Sequence, residues 1–124
     1  MNVIIAGSRH FDNYRAISGV IKESEFDITK ILCGMASSGV DRCAYAYAIN
    51  NCIPVNIFPA KWKVYGKAAG PIRNESMAKC ADALIVIWDG RSRGTKNMIA
   101  NARKYKLKLW IVTVDENEWD AWRI

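Results

Sequence analysis

Three short stretches gather the residue types that hold a small anion: Gly7-Ser8-Arg9, then Gly34-Met35-Ala36-Ser37-Ser38-Gly39-Val40-Asp41-Arg42, then Asp89-Gly90-Arg91-Ser92-Arg93-Gly94-Thr95. Glycines let main-chain amides approach a ligand closely, hydroxyls and arginines donate to phosphate oxygens, and the helix start behind such a loop presents unpaired N–H groups. A fourth candidate stands on a helix. Arg73, Met77, Cys80 and Ala81 fall at i, i+4, i+7 and i+8, so a charge shares the stripe that apolar residues use to meet a core. No carboxylate lies three or four residues from Arg73 on either side, so a local helix pair does not account for it. A phosphate contact would.

Each stretch also has a plainer reading. Gly7-Ser8-Arg9 turns a chain, residues 34–42 make a flexible loop with a serine cap, and Asp41 suits the dipole of a helix start. Gly94-Thr95 caps a helix, a role compatible with anion binding. Arg91 and Arg93 serve solubility, and Trp62 and Tyr65 cover apolar surface unless they stack on a base. A carboxylate from a distant segment is the alternative partner for Arg73. His10 is read as loop packing or solvent contact. What raises the binding reading is where these residues stand relative to the strands.

Short apolar runs at residues 3–6, 29–33, 54–58, 83–88 and 109–114 predict five strands. The run at 83–88 is continuous, the mark of a strand covered on both faces. Between them lie helical patterns: Tyr14, Ile17, Val20 and Ile21 after a cap at Asp12, an alanine- and tyrosine-rich stretch over 40–51, a helix with Pro71 in its first turn, and Met98, Ile99, Ala102 and Tyr105 on another. Trp119 and Trp122 fall on a short terminal helix that closes the core or meets another subunit. Alternation of this kind specifies an α/β fold: a small Rossmann-like domain with a five-stranded, mainly parallel sheet and helices on both faces. The loops after strands one, two and four then open on one sheet edge, where α/β proteins bind ligands.

The chain of 124 residues reads as one domain, with 115–124 as a C-terminal tail. Its net charge of +6 favours anionic partners without separating nucleotide from nucleic acid. Cys33, Cys43, Cys52 and Cys80 lack C-x-x-C spacing, which predicts reduced, buried thiols rather than a disulfide frame or a zinc site. With one histidine, no metal is expected. No run approaches the roughly 18 residues of a membrane span and no signal peptide is visible, so a cytoplasmic location without membrane partners is expected. Neither G-x-G-x-x-G nor G-x-x-x-x-G-K-[ST] occurs, which argues against an ordinary NAD dehydrogenase or P-loop ATPase.

The spaced motifs Gly7-Ser8-Arg9-x-Phe11, Gly34-x-Ala36-x-x-Gly39-Val40-Asp41, Phe58-Pro59-Ala60-x-Trp62, Gly66-x-Ala68-Ala69-Gly70-Pro71-x-Arg73-Asn74-x-x-Met77 and Gly94-Thr95-x-Asn97-Met98 resemble the DUF2493 family, the YspA-related branch of the SLOG superfamily. The resemblance runs from Met1 to about Val114 and implies a Rossmannoid fold with a site for a nucleotide or a nucleotide-derived, NAD- or ADP-ribose-like ligand, used by a sensor or sequestering module. It adds Ala36, Asn74 and Asn97 to Gly7, Ser8, Arg9, Gly34, Ser38, Gly39, Asp41, Arg73, Gly94 and Thr95 as expected ligand-binding residues, with Trp62 and Tyr65 as base-stacking candidates. It also implies a homodimer, relatives in phages and mobile elements, and no cofactor. The related phosphoribohydrolases have a carboxylate where this chain has Met98, so the alternative function, a nucleoside 5′-monophosphate N-glycosidase, would need Asp41, Glu75 or Asp89 in its place. DNA binding, as in the DNA-processing relative, is the second alternative.

Overall fold

The computed structural model describes residues 1–35 and 38–114; Ala36, Trp119 and Trp122 lie outside them. Five strands, β1 (Asn2–Gly7), β2 (Lys30–Gly34), β3 (Val55–Phe58), β4 (Ala83–Trp88) and β5 (Lys108–Thr113), form one sheet in the order β3-β2-β1-β4-β5. Every neighbouring pair is parallel. The helices are α1 (Tyr14–Glu23), α2 (Gly39–Asn50), the short α3 (Trp62–Tyr65), α4 (Ala69–Cys80) and α5 (Arg93–Lys104).

The period-two alternation of a strand explains how the sheet feeds two cores. Val3 and Ile5 of β1, with Ile31, Cys33, Ile85 and Ile87, meet Ile17, Val20 and Ile21 of α1 and Val40, Ala44 and Ala48 of α2. Ile4, Leu32, Leu84 and Val86 point the other way, onto Met77 and Ala78 of α4 and Met98, Ile99 and Ala102 of α5. Central strands buried on both faces are therefore apolar at every position, as residues 83–87 are. The edge strand β5 alternates exposed and half-buried residues along much of its length.

Several local details differ from expectation. Asn13, not Asp12, caps α1: it is the extended residue directly before the first helical turn, and its side-chain Oδ1 accepts the Ala16 N–H at 3.2 Å. The buried stripe of α4 runs through Asn74, Met77 and Ala78, with Arg73 and Cys80 on its flank. Cys80, the last residue of α4, is exposed, and Cys52 is exposed as well; only Cys33 and Cys43 are the buried thiols expected. α4 begins at Ala69, with Pro71 in its first turn, where a missing N–H breaks no helical bond. Among the described residues no helix is long and apolar enough to cross a membrane, and no group of side chains could hold a metal ion.

Candidate functional site

In this strand order β2 and β3 lie on one side of β1, and β4 and β5 on the other. The chain reverses its direction of build across the β1–β4 seam, and loops leaving the two strands diverge to open a crevice. A cavity of about 640 Å³ occupies it. Gly7, Ser8 and Arg9 line it from β1, Gly34 from the end of β2, and Asp89, Arg91, Ser92, Arg93, Gly94 and Thr95 from the loop after β4. Arg73 and Asn74 enter from α4, and Asn97 from α5. The three loops expected to share one sheet edge do so.

The floor is built by close backbone approach. Ser8 N–H donates to the Ile87 carbonyl at 3.2 Å, joining the β1 loop to the end of β4. A Cβ on Gly7 would collide with that same carbonyl. Gly39, at φ +72°, presses against the main chain of Arg9, and Val40 N–H donates to Ser8 O at 3.1 Å. Gly39 therefore lies outside the cavity lining and seats α2 under the β1 loop. Ser38 donates its hydroxyl to Arg9 O at 3.2 Å and borders an adjoining hollow.

Arg73 is half-buried and held at two points: Nε donates to Asn74 Oδ1 at 3.0 Å, and Nη1 to the Phe58 carbonyl at the end of β3 at 3.2 Å. Asn74, itself buried, donates Nδ2 to Gly94 O at 3.2 Å and to Asn97 Oδ1 at 3.0 Å. Asn101 donates to Asn97 Oδ1 at 3.1 Å. This chain ties the start of α4 to the start of α5 and occupies both ends of the Asn74 amide, so Asn74 orients Arg73. Burial pulls the Arg73 pKa down and the neighbouring Arg9 adds to this, while Asp41 opposes it. A guanidinium stays charged regardless, and a cation short of solvation is suited to an anion. A Cβ on Gly34 would sit 2.5 Å from Arg73 Nη1 and 2.7 Å from Asp41 Oδ2, so glycine lets these two side-chain ends close on the strand end without shifting.

At the start of α5, Ser92 Oγ accepts the Thr95 N–H, and the first-turn amides of Arg93 and Gly94 have no partner within the helix. The loop before it is fixed by Asp89, whose Oδ1 accepts the N–H groups of Arg91 and Ser92, each at 2.8 Å. Burial works to raise the Asp89 carboxyl, but the Ser92 and Arg91 amides outweigh it and hold the pKa below the usual aspartate value. Arg9, Lys67, Arg73, Arg91 and Arg93 line the cavity against Asp41 and Asp89, a cationic excess facing one volume.

Trp62 forms part of the wall, its ring 3.3 Å from where a Cβ on Gly70 would stand, whereas Tyr65 is not among the lining residues. Lys67 and Gly70 line the cavity without having been expected as binding residues, and His10, read as loop packing or solvent contact, is exposed and lines it too. The clue available for Lys67 was its company: residues 59–69, which lead into α4, hold Lys61 and Lys63 beside Trp62 and Tyr65. Met98 is buried in the wall; Glu75 is turned outward, paired with Lys104 at 3.1 Å and Lys79 at 3.7 Å, and is not among the cavity's lining residues.

No family model matches the chain, and no curated protein matches it. Among solved structures it is similar to the X-ray structure of DNA processing protein A (DprA) from Streptococcus pneumoniae, with a TM-score of 0.68 and 19% identity over 95% of this chain and 52% of that one. The likeness shows a shared Rossmann-like fold; this chain spans about half the length of that structure.

Proposed function

We propose that this chain, sharing its fold with part of a DNA processing protein, binds a nucleotide or a nucleotide-derived ligand through its phosphates, as a sensor or sequestering module of the DUF2493 kind. One observation carries the reading: three strand-end loops and a braced, half-buried Arg73 surround a single cationic cavity at the switch point of the sheet. Arg73 makes charge-assisted bonds to a phosphate, the amides of Arg93 and Gly94 with the Thr95 hydroxyl receive its remaining oxygens, and Arg9 supplies a second positive charge. Trp62 offers a face for a base.

Hydrolysis of an N-glycosidic bond is the second reading. Asp41 and Asp89 both line the cavity, which supports a carboxylate reaching an oxocarbenium-like centre, a task Met98 is chemically unable to perform. Calorimetric titration with nucleoside monophosphates, nucleoside diphosphates and ADP-ribose tests the binding reading, and chromatography of the same mixtures for free base tests the second. A DNA oligonucleotide titrated over a range of salt distinguishes the fold neighbour's kind of partner. Affinity for a duplex that falls steeply with salt, with no nucleotide binding, would overturn the small-ligand reading.

A further inference from the structure

Arg91 and Arg93 line the cavity, and neither guanidinium has a hydrogen bond or an ion pair among the described residues. Their charges are free, but their main chain is not. Asp89 Oδ1 accepts the N–H groups of Arg91 and Ser92, both at 2.8 Å, so the carboxylate meets the backbone of the loop rather than its cationic side chains. The residue before it is tied down as well: Trp88 Nε1–H donates to Ser92 O at 3.2 Å, while Trp88 O accepts the Val114 N–H at 2.8 Å. Gly90 turns the chain between them at φ +82°. Ser92 Oγ then accepts the Thr95 N–H, which joins the loop to the first turn of α5, where Arg93 stands. By charge alone Asp89 is out of place, since a carboxylate lining an anion site repels the ligand.

We propose that Asp89 is a positioning residue: its carboxylate works through the amides of Arg91 and Ser92 to hold Arg91 and Arg93 toward an anion in the cavity, and these two arginines form a second cationic arm beside Arg9 and Arg73. This rests on the phosphate-binding reading above and adds to it residues that the reading leaves out. The two arms are set by different means. Arg73 is braced at its guanidinium by the Asn74 side chain, whereas Arg91 and Arg93 are placed through the backbone that bears them.

The test measures Kd for AMP, ADP and ADP-ribose, and compares variants with the parent using whichever of these the parent binds most tightly. Arg91→Ala/Arg93→Ala is expected to weaken binding about tenfold, the worth of one charge-assisted bond. Asp89→Ala is expected to weaken it by a similar factor, although removing a negative charge would by itself tighten an anion. Asp89→Asn keeps an Oδ1 acceptor without the charge, so it is expected to bind at least as tightly as the parent. In Asp89→Ala/Arg91→Ala/Arg93→Ala the losses are expected not to add, because Asp89 acts through the arginines. Unchanged or tighter binding in Asp89→Ala, a loss in Asp89→Asn equal to that in Asp89→Ala, or additive losses in the triple variant would overturn the positioning role. Arg91→Ala/Arg93→Ala trims only exposed side chains, so it decides the matter even where Asp89→Ala does not fold: an unchanged Kd there overturns the proposal. Binding of none of the three compounds by the parent would instead overturn the phosphate-site reading on which it stands.

Discussion

Replacing Arg73 by alanine separates a ligand-holding arginine from a structural one. Without ligand, Arg73 donates to Asn74 Oδ1 and to the Phe58 carbonyl. Truncation leaves the Asn74 oxygen short of a donor, and an orphaned buried acceptor costs about 1–3 kcal/mol. The space vacated opens onto the cavity, where water reaches that oxygen, and a guanidinium whose burial had already lowered its pKa no longer has to be desolvated. The stability loss is therefore expected at the low end, about 1 kcal/mol, or roughly 3–6 °C in melting midpoint for a chain of this length. The binding loss is larger. Two charge-assisted bonds to a phosphate, at about 1.5 kcal/mol or more each, sum to about 3 kcal/mol, or two orders of magnitude in Kd. Arg73→Lys restores the charge without the fork geometry and is expected to recover about a tenth of that affinity. Calorimetric Kd values with ADP-ribose and AMP, beside urea unfolding of the same samples, supply both numbers. A Kd within about threefold of the parent, together with an unfolding free energy lowered by more than about 3 kcal/mol, would refute the argument and make Arg73 a strut.

Gly39→Ala is expected to cost on the order of 3 kcal/mol, because a Cβ there meets the Arg9 main chain at a positive φ; an unchanged denaturation midpoint would show that α2 does not seat the β1 loop. Gly34→Ala meets only the movable ends of Arg73 and Asp41, so it is expected to impair ligand affinity more than stability, as read by the same two assays. The Asp89 pKa is depressed in the fold, so its contribution to stability is present above the unfolded value of about 3.9 and disappears as pH falls through the folded value. The gap in unfolding free energy between parent and Asp89→Ala should accordingly narrow on acidification, and a gap that widens contradicts the loop-fixing role. Alkylation followed by mass spectrometry should label Cys52 and Cys80 in the native protein and all four cysteines after unfolding. Cys33 is protected by burial, which with the nearby Asp41 pushes its thiol pKa up to about 12.

The strands were legible because burial on both faces forces an unbroken apolar run, and the sheet edge followed from which loops carry glycine. Arg73 was legible because a charge beside an apolar stripe needs an explanation. Asn74 was visible only as a neighbour of Arg73: its partners Gly94 and Asn97 lie twenty or more residues away, and nothing local says that its amide is already occupied. Gly34 and Gly39 look interchangeable in one loop, yet one leaves room for Arg73 and Asp41 and the other for the Arg9 backbone. Trp62 and Tyr65 belong to a single helical turn, and only packing against Gly70 decides which ring faces the cavity. Asp12 lost the cap to Asn13 by one residue, a distinction set by backbone angle rather than composition.

The place of β1 has a consequence for how the molecule assembles. It occupies the middle of the sheet, but the contact from Asn2 to Asp82 that begins its seam with β4 spans 80 positions of chain. Arg9 is thus synthesised long before Arg73 and Thr95, and the early half carries only one side of the cradle. Closing so wide a loop is entropically costly and slow. A molecule lodged across the seam acts as a clasp on that late event, so it should retard unfolding of the entire chain rather than stiffen one loop.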